Sequence, residues 1–251
     1  MSEPTNILIV DDEPPVCKSV SRALATEGYK VESALSAEEA LKKAEGSDYD
    51  VVITDLMMPG LNGMDLLKIV AERMPRTKVI MITGYPSVKS AVEAVRLGAF
   101  DYIPKPFTPK EIRGLVSRAL ESKRFQEGDV APPKGIYCIP ENSWAAVDES
   151  GSVRVGAHHV FLKTIPQVAS LELPGEGDMK FQGEPCATLT DSRGNVHKVW
   201  APVSGRIVTV NREIEHDYSR LTKDPYGKGW LFTMAPTDIE DDLKNLAHVT
   251  S

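Results

Sequence analysis

Cysteine is scarce. Cys17, Cys138 and Cys186 are the only three in 251 residues, and no two form a Cys-x-x-Cys pair or a Cys/His ligand spacing. That argues against a thiolate metal site and against a disulfide framework. An odd, sparse set fits reduced thiols packed as small hydrophobes, as in a cytoplasmic protein. Basic charge is in deficit, 29 Lys and Arg against 36 Asp and Glu for a net charge of −7. This weighs against binding nucleic acid through its phosphates. The opening MSEPTNILIVDDE lacks the basic stretch and long apolar run of a secretory signal. No apolar run reaches the length that spans a bilayer, so no membrane contact is expected. No GxxxxGK[ST] sequence occurs, which speaks against an ATP-driven output. What remains is 41% hydrophobic and 26% charged, the composition of a globular protein, with length enough for two ordinary domains.

Residues 1–125 alternate strand-like and helix-like segments. Asn6–Val10, Val51–Thr54 and Lys78–Ile82 are short apolar runs of the kind buried on both faces of a sheet. Tyr29–Ser33 and a short segment around Tyr102–Ile103 complete five strands. Between them, Pro14–Glu27, the segment after Ser36, Asn62–Arg73 and Ser87–Leu97 read as helices. Ser36 with Glu39, and Thr108 with Glu111, have capping-box spacing; the second opens a helix running to about Phe125. Five strands each followed by a helix imply a parallel sheet with right-handed crossovers. Chemistry in such sheets gathers at the C-terminal strand ends. Asp11, Asp12 and Glu13 follow the first strand, Asp55 the third, Thr83 and Gly84 the fourth, and Lys105 the fifth. Taken singly, such an Asp is ordinarily a turn or cap residue. Together they supply a carboxylate nucleophile, a cation, a hydroxyl, and oxygen ligands suited to Mg²⁺.

ILIVDDE at 7–13, DLMMPGLNG at 55–63, MITGY at 81–85 and FDYIPKPF at 100–107 resemble the receiver domain of bacterial two-component response regulators. The resemblance implies a doubly wound, flavodoxin-like α/β fold. It also implies that Asp55 accepts a phosphoryl group from a sensor histidine kinase or phosphotransfer protein. Asp11 and Asp12 would hold Mg²⁺ together with Asp55 and the backbone carbonyl of Met57. Lys105 would contact the phosphoryl group, Thr83 would move to bond it, and Tyr102 would be the aromatic switch. The Lys105–Pro106 bond is expected to be cis.

Gln126–Lys134 (QEGDVAPPK) reads as a linker, leaving a second domain at 135–251. Its short Val- and Thr-rich segments at 152–155, 187–190, 196–200 and 205–210, divided by Gly, Pro, Asp and Ser, are a β-rich signature. Helical pattern is expected at His159–Val168 and Thr237–Leu246. The second of these is acidic, unlike a DNA-recognition helix. His158-His159 would be surface or cap residues, because neighbours on a helix face different ways. Trp144, Trp200 and Trp230 would pack in the core or at an edge.

SWAAVDESGSVRVGAHHV at 143–160, LELPGEGDMKFQGEP at 171–185, WAPVSGRIVTVN at 200–211 and DPYGKGWLF at 224–232 resemble the H protein of the glycine cleavage system. The resemblance implies a lipoyl-domain-like sandwich with small flanking helices. In that family a lysine seven residues before the alanine of APVSG carries lipoate. Here that position is Gly194, and neither Arg193 nor Lys198 replaces it, so lipoate is not expected. The resulting expectation is a cytoplasmic response regulator that acts through protein–protein contact of its second domain on an unidentified target. Its only catalysis would be its own phosphorylation and dephosphorylation. A phosphorylation-regulated lipoyl carrier is the alternative. A third reading has the second domain dimerise, with Val88, Val92 and Val95 available as an apolar face.

Overall fold

In a computed structural model of the chain, residues 5–84, 90, 93–94, 96–123 and 132–249 are described. Val88, Val92, Val95 and residues 126–131 of the expected linker lie outside them. Two compact units divide the chain, Met1–Arg124 and Phe125–Ser251.

The first unit holds β1 (Asn6–Val10), β2 (Lys30–Ala34), β3 (Val51–Asp55), β4 (Lys78–Thr83) and β5 (Asp101–Pro104). They form one parallel sheet in the order β2-β1-β3-β4-β5. Side chains alternate across a strand, so each central strand serves two cores. Ile7, Ile9, Val51, Ile53, Ile80 and Ile82 pack on one side with helix α1 (Pro14–Leu24) and the helix Pro109–Ser122. Leu8, Val10, Val52, Val79 and Met81 pack on the other with α2 (Ala37–Ala44) and α3 (Gly63–Arg73). This is why the central strands read as continuous apolar runs. Ser36 caps α2 by accepting from Glu39 N–H, and Thr108 and Glu111 form a complete capping box. Pro109–Ser122 ends three residues short of the expected Phe125. Of the expected Ser87–Leu97 helix, residues 90, 93, 94, 96 and 97 are described; the first four are helical and Leu97 lies in a turn.

Arg118 and Asp101 form an ion pair buried on both sides. Arg118 is 0% exposed and its Nη2 lies 3.0 Å from Asp101 Oδ2. Asp101 Oδ1 accepts from Tyr102 N–H at 2.8 Å. Truncating one partner strands a buried charge, so Arg118→Ala is expected to cost about 3–5 kcal/mol. Lys123→Ala breaks only the more exposed pair with Asp50 and should cost about 1 kcal/mol or less. Urea denaturation of the two variants checks the contrast.

The second unit is antiparallel. Its strands are β6 (Tyr137–Ile139), β7 (Ser143–Val147), β8 (Val153–Ala157), β9 (Val168–Glu172), β10 (Met179–Lys180), β11 (Pro185–Asp191), β12 (Val196–Trp200), β13 (Gly205–Val210), β14 (Trp230–Pro236) and β15 (Ala247–His248). Seven form the sheet β10-β13-β14-β8-β7-β6-β15, and three form β12-β11-β9. One core between them contains Val153, Val155, Phe161, Leu189, Val199, Ile207, Leu231 and Phe232. Asn142, at the β6–β7 turn, clasps β12: its Oδ1 accepts from Trp200 N–H at 2.8 Å and its Nδ2 donates to Lys198 O at 3.1 Å. Trp144 is buried against Gly156, where a Cβ would come within 2.5 Å of the indole. Trp200 is buried too, and all three cysteines are buried thiols.

One expectation needs correction. The helix at 159 stops at Lys163, and Val168 opens β9; Pro166 bars the helical bonding and disfavours helix at Ile165 before it. Of the histidine pair, expected as surface or cap residues, His158 is a buried cap and His159 is half-buried. His158 precedes the helix with extended backbone, as its N-cap, and accepts weakly from Val160 N–H at 3.3 Å. The helical spacing rule therefore does not separate the two rings, whose centroids lie 4.6 Å apart. His159 Nδ1 and the Tyr226 hydroxyl are 2.7 Å apart.

Burial, and next the neighbouring His159, pull His158 down from 6.5 to about 4. Between those values the unfolded chain takes a proton that the folded chain refuses, so stability falls as pH falls through that window. The loss should reach about 3 kcal/mol by pH 4. His158→Asn keeps a capping side chain without the titration and should flatten the pH dependence of melting between pH 6.5 and 4.

An acidic site at the strand ends, and a glycine-tipped hairpin

The C-terminal strand ends of the first unit are tied together by backbone bonds that continue the sheet. Asp11 N–H donates to Ala34 O, Leu56 N–H to Ile82 O, and Lys105 N–H to Thr83 O. β1 thereby delivers Asp11 and Asp12, β3 Asp55, β4 Thr83, and the turn after β5 Lys105. Asp11, Asp55 and Thr83 are buried, while Asp12 is exposed. Asp11, Asp12 and Asp55 each offer an oxygen within 4.8 Å of the others.

Lys105 reaches across this group. Its Nζ lies 2.8 Å from Asp11 Oδ2, 3.1 Å from Asp55 Oδ2 and 3.5 Å from Glu13 Oε1. Burial pushes the Asp11 carboxyl up from its ordinary value, against the pull of Lys105 and of the Glu13 N–H. Burial pulls Lys105 down, but its bonds to Asp11 and Asp55 outweigh that and hold it above its ordinary value. The ammonium is thus held charged between its two carboxylates.

Three carboxylates against one ammonium leave two negative charges. Asp55 Oδ1 is also buried and accepts no hydrogen bond. Such an oxygen carries its desolvation cost uncompensated. An orphaned carboxylate oxygen in an all-oxygen set with a double negative excess fits a hard divalent cation such as Mg²⁺.

The segment after Asp55 is clamped close to the site. Gly63 N–H donates to Leu56 O at 2.9 Å, and Asn62 caps α3 by accepting from Asp65 N–H at 3.0 Å. A Cβ at Gly63 would lie 2.1 Å from Asp55 O, against backbone that cannot swing aside. Met57, two residues past Asp55, keeps 58% of its surface exposed. Lys105–Pro106 is cis, as expected. Tyr102 is 4% exposed, and its hydroxyl lies 3.2 Å from Ser90 Oγ. Two features escaped the sequence reading. Glu13 was placed beside the site without the contact to Lys105, for which the third acid of VDDE was the available signal. The Ser90 contact had none.

In the second unit Gly194 lies in the turn between β11 and β12, at φ +77°. Asp191 freezes that turn. Its carboxylate accepts from Arg193 N–H, Asn195 N–H and Asn195 Nδ2, and lies 3.1 Å from His197 Nε2. Lys198 stands four residues on, along β12 opposite Thr188 and away from the tip.

Gly63→Ala is expected to destabilise the first unit by about 3 kcal/mol, the upper end of overpacking costs. Gly28→Ala, at φ +75° with open space around it, should cost only about 1 kcal/mol. Thermal melts of the two variants separate steric clash from backbone strain.

Residues 7–117 match the response regulator receiver domain family, and residues 136–251 match the glycine cleavage H-protein family. The regulatory protein AtoC of Escherichia coli K12 is 41% identical over 127 residues, covering 51% of this chain and 28% of that protein. The DNA-binding transcriptional regulator NtrC of Proteus hauseri is 36% identical over 122 residues, 49% of this chain and 26% of that one. The transcriptional regulatory protein ResD of Bacillus subtilis is 34% identical over 136 residues, 53% and 55% of the two. The chain thus spans about a quarter to a half of these relatives' lengths. A solved CheY-like receiver from Methanospirillum hungatei is 34% identical, with 49% of this chain and 98% of that one covered and a TM-score of 0.47. The glycine cleavage system H protein of Mycobacterium marinum is 30% identical, with 42% and 87% covered and a TM-score of 0.39. No described helix is long and apolar enough to cross a membrane. Residues 7–117 are therefore a response regulator receiver domain, a five-stranded α/β sheet, and residues 136–251 are an antiparallel domain of the glycine cleavage H-protein kind.

Proposed function

We propose that the chain is a response regulator that takes a phosphoryl group on Asp55 and signals through contacts of its H-protein-like domain with another protein. The observation that carries this reading is the state of Asp55. One oxygen is held by Lys105, and the other is buried and accepts no hydrogen bond. The donor would be a sensor histidine kinase or a phosphotransfer protein. The P–N bond of a phosphohistidine breaks as a P–O bond to Asp55 forms, and the imidazole nitrogen recovers a proton. Attack of water on phosphorus later returns the carboxylate and inorganic phosphate.

Each residue then has a role. Asp11, Asp12, Asp55 and the Met57 carbonyl would hold Mg²⁺, which when bound offsets the charge of the phosphoryl oxygens. Lys105 leaves its carboxylates to meet the incoming oxygens, Thr83 supplies a hydroxyl to one of them, and Tyr102 responds to the move of Thr83. At the hairpin tip Gly194 offers no amine, so the second domain is read as a binding module without lipoate.

Acetyl phosphate with Mg²⁺ should add one phosphoryl mass to the wild type, by intact-mass spectrometry, and none to Asp55→Ala. The same spectrum of protein from lipoate-replete cells should show no lipoyl mass. A wild type without phosphoryl adduct would overturn Asp55 as the acceptor, and a lipoyl adduct would replace the output reading with that of a carrier.

A further inference from the structure

The strand next to the reaction centre is also the one least held by the sheet. β5 is an edge strand of four residues and, among the described residues, pairs with β4 alone. Its continuation carries Lys105, bonded to Asp11 and Asp55. Its first residue, Asp101, is bonded to the helix Pro109–Ser122 through Arg118. That carboxylate serves two masters at once: Oδ2 takes Arg118 Nη2 at 3.0 Å and Oδ1 takes Tyr102 N–H at 2.8 Å. The Arg118 guanidinium also lies over the Phe100 ring, 5.2 Å from its centre.

A surface ion pair would let the strand slide and re-form elsewhere. This one cannot, because both partners are almost wholly buried and separation leaves charges unpaired in the interior. A shift of β5 is therefore cheaper if the helix follows than if the pair breaks. The helix is the last element of the first unit, which ends at Arg124.

We propose that the Asp101–Arg118 pair is the joint that makes β5 and the helix Pro109–Ser122 move as one body, so that phosphorylation is read where the chain leaves the receiver. This rests on Asp55 being the phosphoryl acceptor. Lys105, drawn from Asp11 and Asp55 toward the new phosphoryl oxygens, displaces β5, and Arg118 carries that displacement into the helix. Asp101 and Arg118 are positioning residues and touch no reacting atom.

The test is hydrogen exchange by mass spectrometry on the full chain, with and without acetyl phosphate and Mg²⁺. Wild type is compared with Asp101→Asn/Arg118→Met, in which the Asn oxygen still serves Tyr102 N–H and both members of the pair are neutral. In the wild type, phosphorylation should change exchange across 109–122 by about threefold or more. In the double variant the adduct should form equally, by intact mass, while that change disappears. An undiminished change in a phosphorylated double variant, or none in a phosphorylated wild type, overturns the joint. Absence of adduct on wild type instead overturns the Asp55 reading, so the two failures are distinct. Should the double variant fail to fold, Arg118→Lys, which keeps the charge and so the pair, should retain the phosphorylation-dependent change across 109–122, and its loss there overturns the joint.

Discussion

Lys105 bridging Asp11 and Asp55 is the contact on which the receiver's arrangement depends. The two carboxylates come from β1 and β3 and are buried side by side, where like charges repel and neither is well solvated. An ammonium from the turn after β5 joins them across the sheet. It ties three strand ends to one point and makes an acidic cavity tolerable in a folded protein. It does so incompletely. Two negative charges and one orphaned oxygen remain, and that shortfall is the opening for a cation and for chemistry at Asp55.

The second domain shows the opposite economy. Its hairpin between β11 and β12 is held by one carboxylate, Asp191, that takes several donors and has a buried histidine beside it. The tip is ordered, and its glycine sits in a conformation that glycine adopts at no steric cost. The presenting scaffold of the H-protein fold is therefore intact, without an amine at the expected place. The missing amine is the basis for proposing a binding module in place of a carrier.

Much of this was legible in the sequence because its causes are local. Central strands buried on both faces announce themselves as apolar runs, and Ser36 with Glu39 or Thr108 with Glu111 mark helix starts by spacing alone. Asp11, Asp12, Asp55 and Lys105 were found because a parallel sheet delivers strand ends to one edge. What could not be read depends on distant partners. Arg118 looks like a solvated residue of an amphipathic helix until Asp101, 17 positions away, is packed against it. Asn142 looks like a turn residue until β12, 56 to 58 positions on, presents its backbone. His158 was legible as a cap residue, but not its burial beside the ring of Tyr226, 68 positions on and 6.1 Å away between ring centres.

Everything proposed for Asp55 requires that Asp11, Asp12 and Asp55 together take up a divalent cation. Titrating the unphosphorylated chain with Mg²⁺ and following backbone amide resonances by NMR tests it most directly. Saturable shifts centred on Asp11, Asp12 and residues 55–57 are expected, absent from Asp55→Asn and strongly weakened in Asp12→Asn. No saturable shift, or shifts that persist unchanged in both variants, would contradict it.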